Sequence, residues 1–167
     1  TGQVGLPGTN SGAREGDSYG IDTGLPVGKN PIGKSFPIFL WPRAVKDAKG
    51  MTALNAGVRG CDRLEHNVKF IWNTQGNTLV NQHGGVNQIR EMLEDESLVE
   101  TIVVVDNQMT PSARFADYVL PDTMNQEIDD MQGDAYAVGD YNYIVACPKA
   151  ADILWEQKPN YWIMSQM

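Results

Sequence analysis

The ordering of apolar and polar positions is clearest in the middle of the chain. Val68 to Trp72 (VKFIW) is a short apolar run that predicts a buried strand. Val86, Ile89 and Leu93 then recur at helical spacing, and Arg90, Glu91, Glu94 and Asp95 lie on the opposite, solvated face. Thr101 to Asp106 (TIVVVD) is a continuous β-rich run, the pattern of a strand covered on both faces. Ser112 to Asp117 predicts a short helix, Tyr118 to Pro121 a short strand, and Tyr141 to Cys147 (YNYIVAC) a last strand. A helix begins at Asn160. Strands alternating with helices predict an α/β fold with βαβ units and a mainly parallel sheet.

Upstream the pattern is weaker. Ala44, Val45, Ala48, Met51 and Leu54 predict a helix over Arg43–Gly57, which Gly50 weakens and Gly57 or Gly60 ends. Phe36 to Pro42 (FPIFLWP) is an apolar island between prolines, expected to pack at the domain edge. The first 35 residues hold nine of the 17 glycines and few large apolar side chains, so they cannot bury enough surface to fold alone. The chain therefore divides into a Gly/Pro-rich arm, extended or disordered, over residues 1–42 and an α/β segment over 43–167.

With 167 residues the chain is long enough for a real core, and a net charge of -8 argues against nucleic acid as a partner. No apolar run reaches the ~18 residues of a membrane span, and no signal peptide is visible. The start at Thr1 reads as an excised piece or a processed product. Cys61 and Cys147 fit two buried thiols better than a structural disulfide. With no CxxC pair and only His66 and His83, a zinc or iron–sulfur site within these residues is not expected.

Candidate chemistry gathers where two strands end. In open α/β sheets ligands bind beyond the carboxyl ends of the strands, and parallel strands bring both exits to one edge. The first exit carries Asn73, Gln75, Gly76, Asn77, Asn81, Gln82 and His83, and the second runs from Asp106 to Ser112 (DNQMTPS). Carboxamides donate and accept together, which suits base and sugar edges. Glycine at 76 lets the backbone approach a ligand closely, and Asp106 can accept from a ribose hydroxyl or from the ring and amino N–H groups of a guanine. Against this, Asn and Gln in such loops are often turn formers, and Thr110 or Ser112 can simply cap the short helix that follows.

Gly28 to Ser35 (GKNPIGKS) formally matches a phosphate-binding loop. That mechanism needs a strand before the loop and a helix after it, whereas Gly24 and Pro26 precede it and Pro37 and Pro42 follow. Asp122, Glu127, Asp129 and Asp130 form an acidic cluster that reads as a solvated loop before it reads as a magnesium site. No nucleophile–base pair is identifiable.

Three stretches in order carry a resemblance. They are TGQVGLPGTNSGAREGDS (Thr1–Ser18), KFIWNTQGNTLVNQH (Lys69–His83) and IVVVDNQMTPSARFADYVLPDT (Ile102–Thr123). Together they resemble the molybdopterin-dependent oxidoreductases, in the branch of the bacterial dimethyl sulfoxide reductase catalytic subunits. The resemblance covers nearly the whole chain and implies a three-layer, Rossmann-like domain of the formate dehydrogenase/dimethyl sulfoxide reductase central-domain type.

It also implies a parent enzyme that reduces S-oxides or N-oxides in anaerobic respiration. The cofactor would be a bis(molybdopterin guanine dinucleotide) molybdenum centre, with an iron–sulfur cluster outside this segment. Partners would be the rest of the catalytic subunit, an iron–sulfur electron-transfer subunit and a membrane anchor subunit, in an exported, membrane-associated complex. Carried over position by position, the cofactor contacts fall on Gly76 and Asn77, on Asn81, Gln82 and His83, on Val105, Asp106 and Asn107, and on Thr110. Arg14 matches an arginine that approaches the metal in some relatives. The protein ligand to molybdenum is expected upstream of Thr1, so this segment alone is expected to be inactive. A nucleotide-binding α/β domain without a redox role is the alternative reading.

Overall fold

A computed structural model describes residues 31–74, 76–81, 84–133 and 144–167. Among the described residues two compact units are present, one formed by Pro31–Thr123 with Leu154–Met167, the other lying within Met124–Ile153. The pattern of the sequence does not show this division.

The larger unit is built on a parallel sheet of three strands in the order β1 (Phe70–Thr74), β2 (Thr101–Asp106), β3 (Tyr118–Pro121). Phe70 lies opposite Thr101 and Asn73 opposite Val104; Val104 is in turn opposite Val119. β2 is central, and its residues from Ile102 to Asp106 are all buried, which explains the unbroken apolar run. Lys158 extends the sheet beside β3, with its N–H donating to the Pro121 carbonyl at 3.0 Å.

Helices α1 (Trp41–Asp47), α3 (Thr78–Asn81) and α4 (Val86–Leu93) share one core with the sheet. Val45, Leu79, Ile89 and Met92 meet Ile102 and Val104 there. On α4, Ile89, Met92 and Leu93 are buried, while Arg90 and Glu94 pair at 3.2 Å in solvent. On the opposite face of the sheet, Trp72 and Leu120 share a groove with Ile163 of α5 (Asn160–Ser165). The smaller unit contains an antiparallel pair, β4 (Asp130–Gly133) with β5 (Ile144–Cys147). Of the predicted last strand over Tyr141–Cys147, Ile144–Cys147 is a strand, paired with β4 and not with the parallel sheet, and residues 141–143 lie outside the described residues.

The predicted helix over 43–57 is interrupted. α1 begins at Trp41 and passes at Ala48 into a single 3-10 turn. Asp47 caps that turn, accepting from the Gly50 N–H at 3.1 Å, and a Cβ on Gly50 would sit 2.1 Å from the Asp47 carboxylate. The chain restarts as α2 (Ala53–Ala56), capped by Thr52 and ended by Gly57 at φ 62. This part closes a second apolar cluster of Ala44, Ala48, Met51, Ala56, Val58 and Leu64, against which Phe36 and Leu40 pack. Within the apolar island, Ile38 and Phe39 remain about half exposed.

Candidate functional site

Both strand exits lie at the same edge of the sheet, as parallel pairing requires. The first exit is a tight turn. The Asn73 side chain is buried; its Nδ2 donates to the Gly76 carbonyl at 2.8 Å, and its Oδ1 accepts from the Thr78 hydroxyl. Gly76 has φ +155, a conformation side-chain-bearing residues rarely adopt, and a Cβ there would press on the Thr78 methyl at 3.3 Å.

The second exit is fastened to the first. Ser112, with no exposed surface, donates from its hydroxyl to Asn77 Oδ1 at 2.7 Å, and its N–H reaches the same oxygen at 2.9 Å. Its Oγ also accepts from the N–H groups of Leu79 at 3.1 Å and Val80 at 3.3 Å. A serine from one loop thereby caps the short helix α3 of the other. Sequence analysis assigns Ser112 only to its own following turn; the partners are 32 to 35 positions away, so no local pattern reveals them. Thr110 does make the predicted local cap, accepting from the Ala113 N–H at 3.2 Å.

Asp106 stands at the end of β2, 9 % exposed. Its carbonyl accepts from the Asp122 N–H at 3.1 Å. Oδ1 accepts from the Gln108 N–H at 3.3 Å. Oδ2 is buried and has no hydrogen-bond partner among the described residues. An ionisable oxygen shielded from bulk water without a donor is costly, and it calls for a partner such as an ordered water, an ion or a ligand group. Neighbouring Val105 is fully buried between β1 and β3, while Asn107 and Asn81 are exposed. Gln75, Gln82, His83 and Arg14 lie outside the described residues.

The remaining motifs resolve as follows. Beyond Lys34, Ser35 forms an antiparallel bridge to Arg59, with bonds of 3.1 and 2.8 Å, where a phosphate loop would require a helix. The acidic cluster is not simply solvated. Asp122 is 1 % exposed and accepts from the Thr123 N–H at 2.8 Å, whereas Glu127 is 8 % exposed and accepts from the Met124 N–H at 2.7 Å. Their buried carboxylates serve to turn the chain. Among the described residues no group of three or more His, Cys, Asp or Glu is placed to hold a metal, and no helix is long and apolar enough to cross a membrane. Cys61 and Cys147 are half-buried rather than fully buried.

Comparison with known proteins fits this arrangement. Over its whole length the chain is 46 % identical to the putative dimethyl sulfoxide reductase chain YnfE of Escherichia coli K12, covering 20 % of that protein. It is 42 % identical over 168 residues to the dimethyl sulfoxide reductase DmsA of the same organism, again covering 20 %. A biotin sulfoxide reductase of Cereibacter sphaeroides is 26 % identical over 174 residues. The chain thus spans about one fifth of the length of the curated relatives it matches. The family model for molybdopterin oxidoreductases matches residues 1–167, and the chain belongs to that family.

Proposed function

We propose that these residues form part of the catalytic subunit of a molybdenum oxidoreductase that reduces S-oxides or N-oxides, and that the two fastened loops hold the guanosine end of one molybdopterin guanine dinucleotide. The observation that carries this reading is the buried, unpartnered Oδ2 of Asp106 at the carboxyl edge of the sheet. A guanine offers adjacent ring and amino N–H donors, the complement of a carboxylate with a free acceptor. Gly76 supports the same reading, since it leaves the first loop without a side chain where a nucleoside would approach.

When bound, the molybdenum cofactor supplies oxygen-atom transfer, in which an S-oxide takes up two electrons and two protons and leaves as sulfide and water. The protein's part in this segment is positional. Asn73 fixes the first turn, the Asn77–Ser112 pair fixes its distance from the second, and Asp106 presents one acceptor in a dry setting. Electrons would reach the parent through an iron–sulfur subunit, and a membrane anchor subunit would complete the assembly.

Asp106→Asn in the full-length subunit tests the assignment. The amide keeps the shape and replaces one acceptor oxygen by a donor facing the base. Molybdenum content by mass spectrometry and GMP released on acid hydrolysis are both expected to fall at least tenfold. Loading equal to the parent would overturn the placement of the guanosine at Asp106.

A further inference from the structure

Among the described residues two buried side-chain oxygens lack a hydrogen-bond partner, Asp106 Oδ2 and Asn160 Oδ1. The fold brings both residues to one edge of the sheet. Beyond β3, Asp122 forms a parallel bridge with Lys158, whose N–H donates to the Pro121 carbonyl at 3.0 Å. Gln157 strengthens that crossing, its Nε2 donating to the Asp122 carbonyl at 3.2 Å. The chain therefore passes Lys158 in the direction of β3 and leaves the sheet at the carboxyl edge, where Asn160 begins α5. Asp106 ends β2 opposite Pro121 at the same edge. The end of β3 stands between the two positions, and two interstrand spacings amount to about 10 Å.

No local bond accounts for Asn160 among the described residues. Its side chain makes no capping bond, and the residue before it is Pro159, which has no N–H to offer. Tyr161 and Trp162, which follow, are exposed, so the burial of the Asn160 oxygen is particular to that side chain. A buried carboxamide oxygen calls for a donor. A pyrophosphate at neutral pH has acceptors only and cannot meet it, whereas a sugar hydroxyl can.

We propose that Asn160 is a further binding residue of the candidate site, its Oδ1 accepting from a ribose hydroxyl of the nucleoside whose base meets Asp106. The inference rests on the placement of guanosine at Asp106. In a guanosine the donor edge of the base and the ribose hydroxyls lie at opposite ends of the molecule. Two orphaned acceptors about 10 Å apart on one edge suit that length, with a hydrogen bond at each end. The carboxylate then reads the base and the amide reads the sugar.

Calorimetric titration of the full-length subunit in its apo form tests this, with GMP and 2′,3′-dideoxy-GMP as probes. The parent is expected to bind GMP at least tenfold more tightly than the dideoxy nucleotide. Asn160→Ala is expected to weaken GMP binding to within threefold of the dideoxy form and to leave the dideoxy form unchanged. Asn160→Asp retains an acceptor and should retain the preference. Equal weakening of both nucleotides by Asn160→Ala would show that Asn160 acts through the fold, and weakening of neither would leave an ordered water as its partner; each result overturns the proposal. A parent that binds both nucleotides equally overturns it too, while leaving the base assignment standing if Asp106→Asn weakens both. GMP binding that is absent, or that Asp106→Asn leaves unchanged, overturns the base assignment and this inference with it.

Discussion

Ser112→Ala isolates the contact that joins the two loops. The substitution removes one hydroxyl from a side chain with no exposed surface and adds no bulk. Three hydrogen bonds go with it: the donation to Asn77 Oδ1 and the acceptances from the Leu79 and Val80 N–H groups. Asn77 Oδ1 keeps its bond from the Ser112 N–H, so that acceptor is still satisfied. Leu79 is 4 % exposed, and its donor is left buried and unmet, a loss of about 1–3 kcal/mol. Val80 is only partly buried and water can replace its partner, leaving the loss of a helix cap, roughly 0.5–2 kcal/mol. The sum is roughly 1.5–5 kcal/mol, which corresponds to local opening from about 10-fold to a few thousand-fold more frequent. Hydrogen exchange at the Leu79 and Val80 amides reads this directly, and thermal denaturation reads the global part. Exchange changed by less than threefold would show that the serine does not cap α3, and the fastening of one loop to the other would fall with it.

Two further perturbations test the frame around the site. Gly60 has φ +78, and a Cβ there would lie 2.1 Å from the Gly33 carbonyl oxygen, so Gly60→Ala must displace backbone. The expected loss is roughly 2–3 kcal/mol, with faster exchange at the Ser35 and Arg59 amides, and an unchanged melting temperature would refute it. The Asp95 carboxyl is held below its ordinary pKa of 3.8 by the Ser97 hydroxyl and then by the Ser97 N–H. Its charged form is favoured in the folded state, so this contribution is present above about pH 4 and is lost as pH falls through the lowered folded value. The difference in urea midpoint between the parent and Asp95→Asn should therefore shrink on going from pH 7 to pH 3, and a constant difference would exclude the linkage.

The sequence is most legible where one local force dominates. β2 and β3 fall at their predicted limits because residues of high strand propensity fill them, a β-branched run in β2 and Tyr118–Val119 in β3. β1 is offset from VKFIW toward Asn73 and Thr74, because the buried Asn73 side chain satisfies itself on Gly76 and Thr78 and so tolerates a strand interior. Likewise the helix through Ala44 and Val45 ends early: the Asp47 cap stops it at a glycine, a local competition that apolar spacing does not register. β5 was recognisable as a strand but not by its partner, since antiparallel pairing with β4 depends on a chain reversal that periodicity does not encode.

The amide-rich exit from β1 shows the same limit at the candidate site. Its side chains suit a nucleoside when taken as an inventory of donors and acceptors. In the folded chain Asn73 and Asn77 turn their oxygens inward, one closing its own turn and the other receiving Ser112. Those amides are therefore structural first, and their part toward any ligand is to hold the loop in shape. Asp106 differs from them in one respect, the buried oxygen that no described residue satisfies. Replacing Asn77 should then act through loop order, and replacing Asp106 through ligand retention alone. Asn77→Ala is expected to speed exchange across both loops and to lower cofactor content together with it, whereas Asp106→Asn should lower cofactor content while exchange at Leu79 and Val80 stays within threefold of the parent. If both variants loosen the loops equally, Asp106 is a framework residue as well and the distinction is wrong.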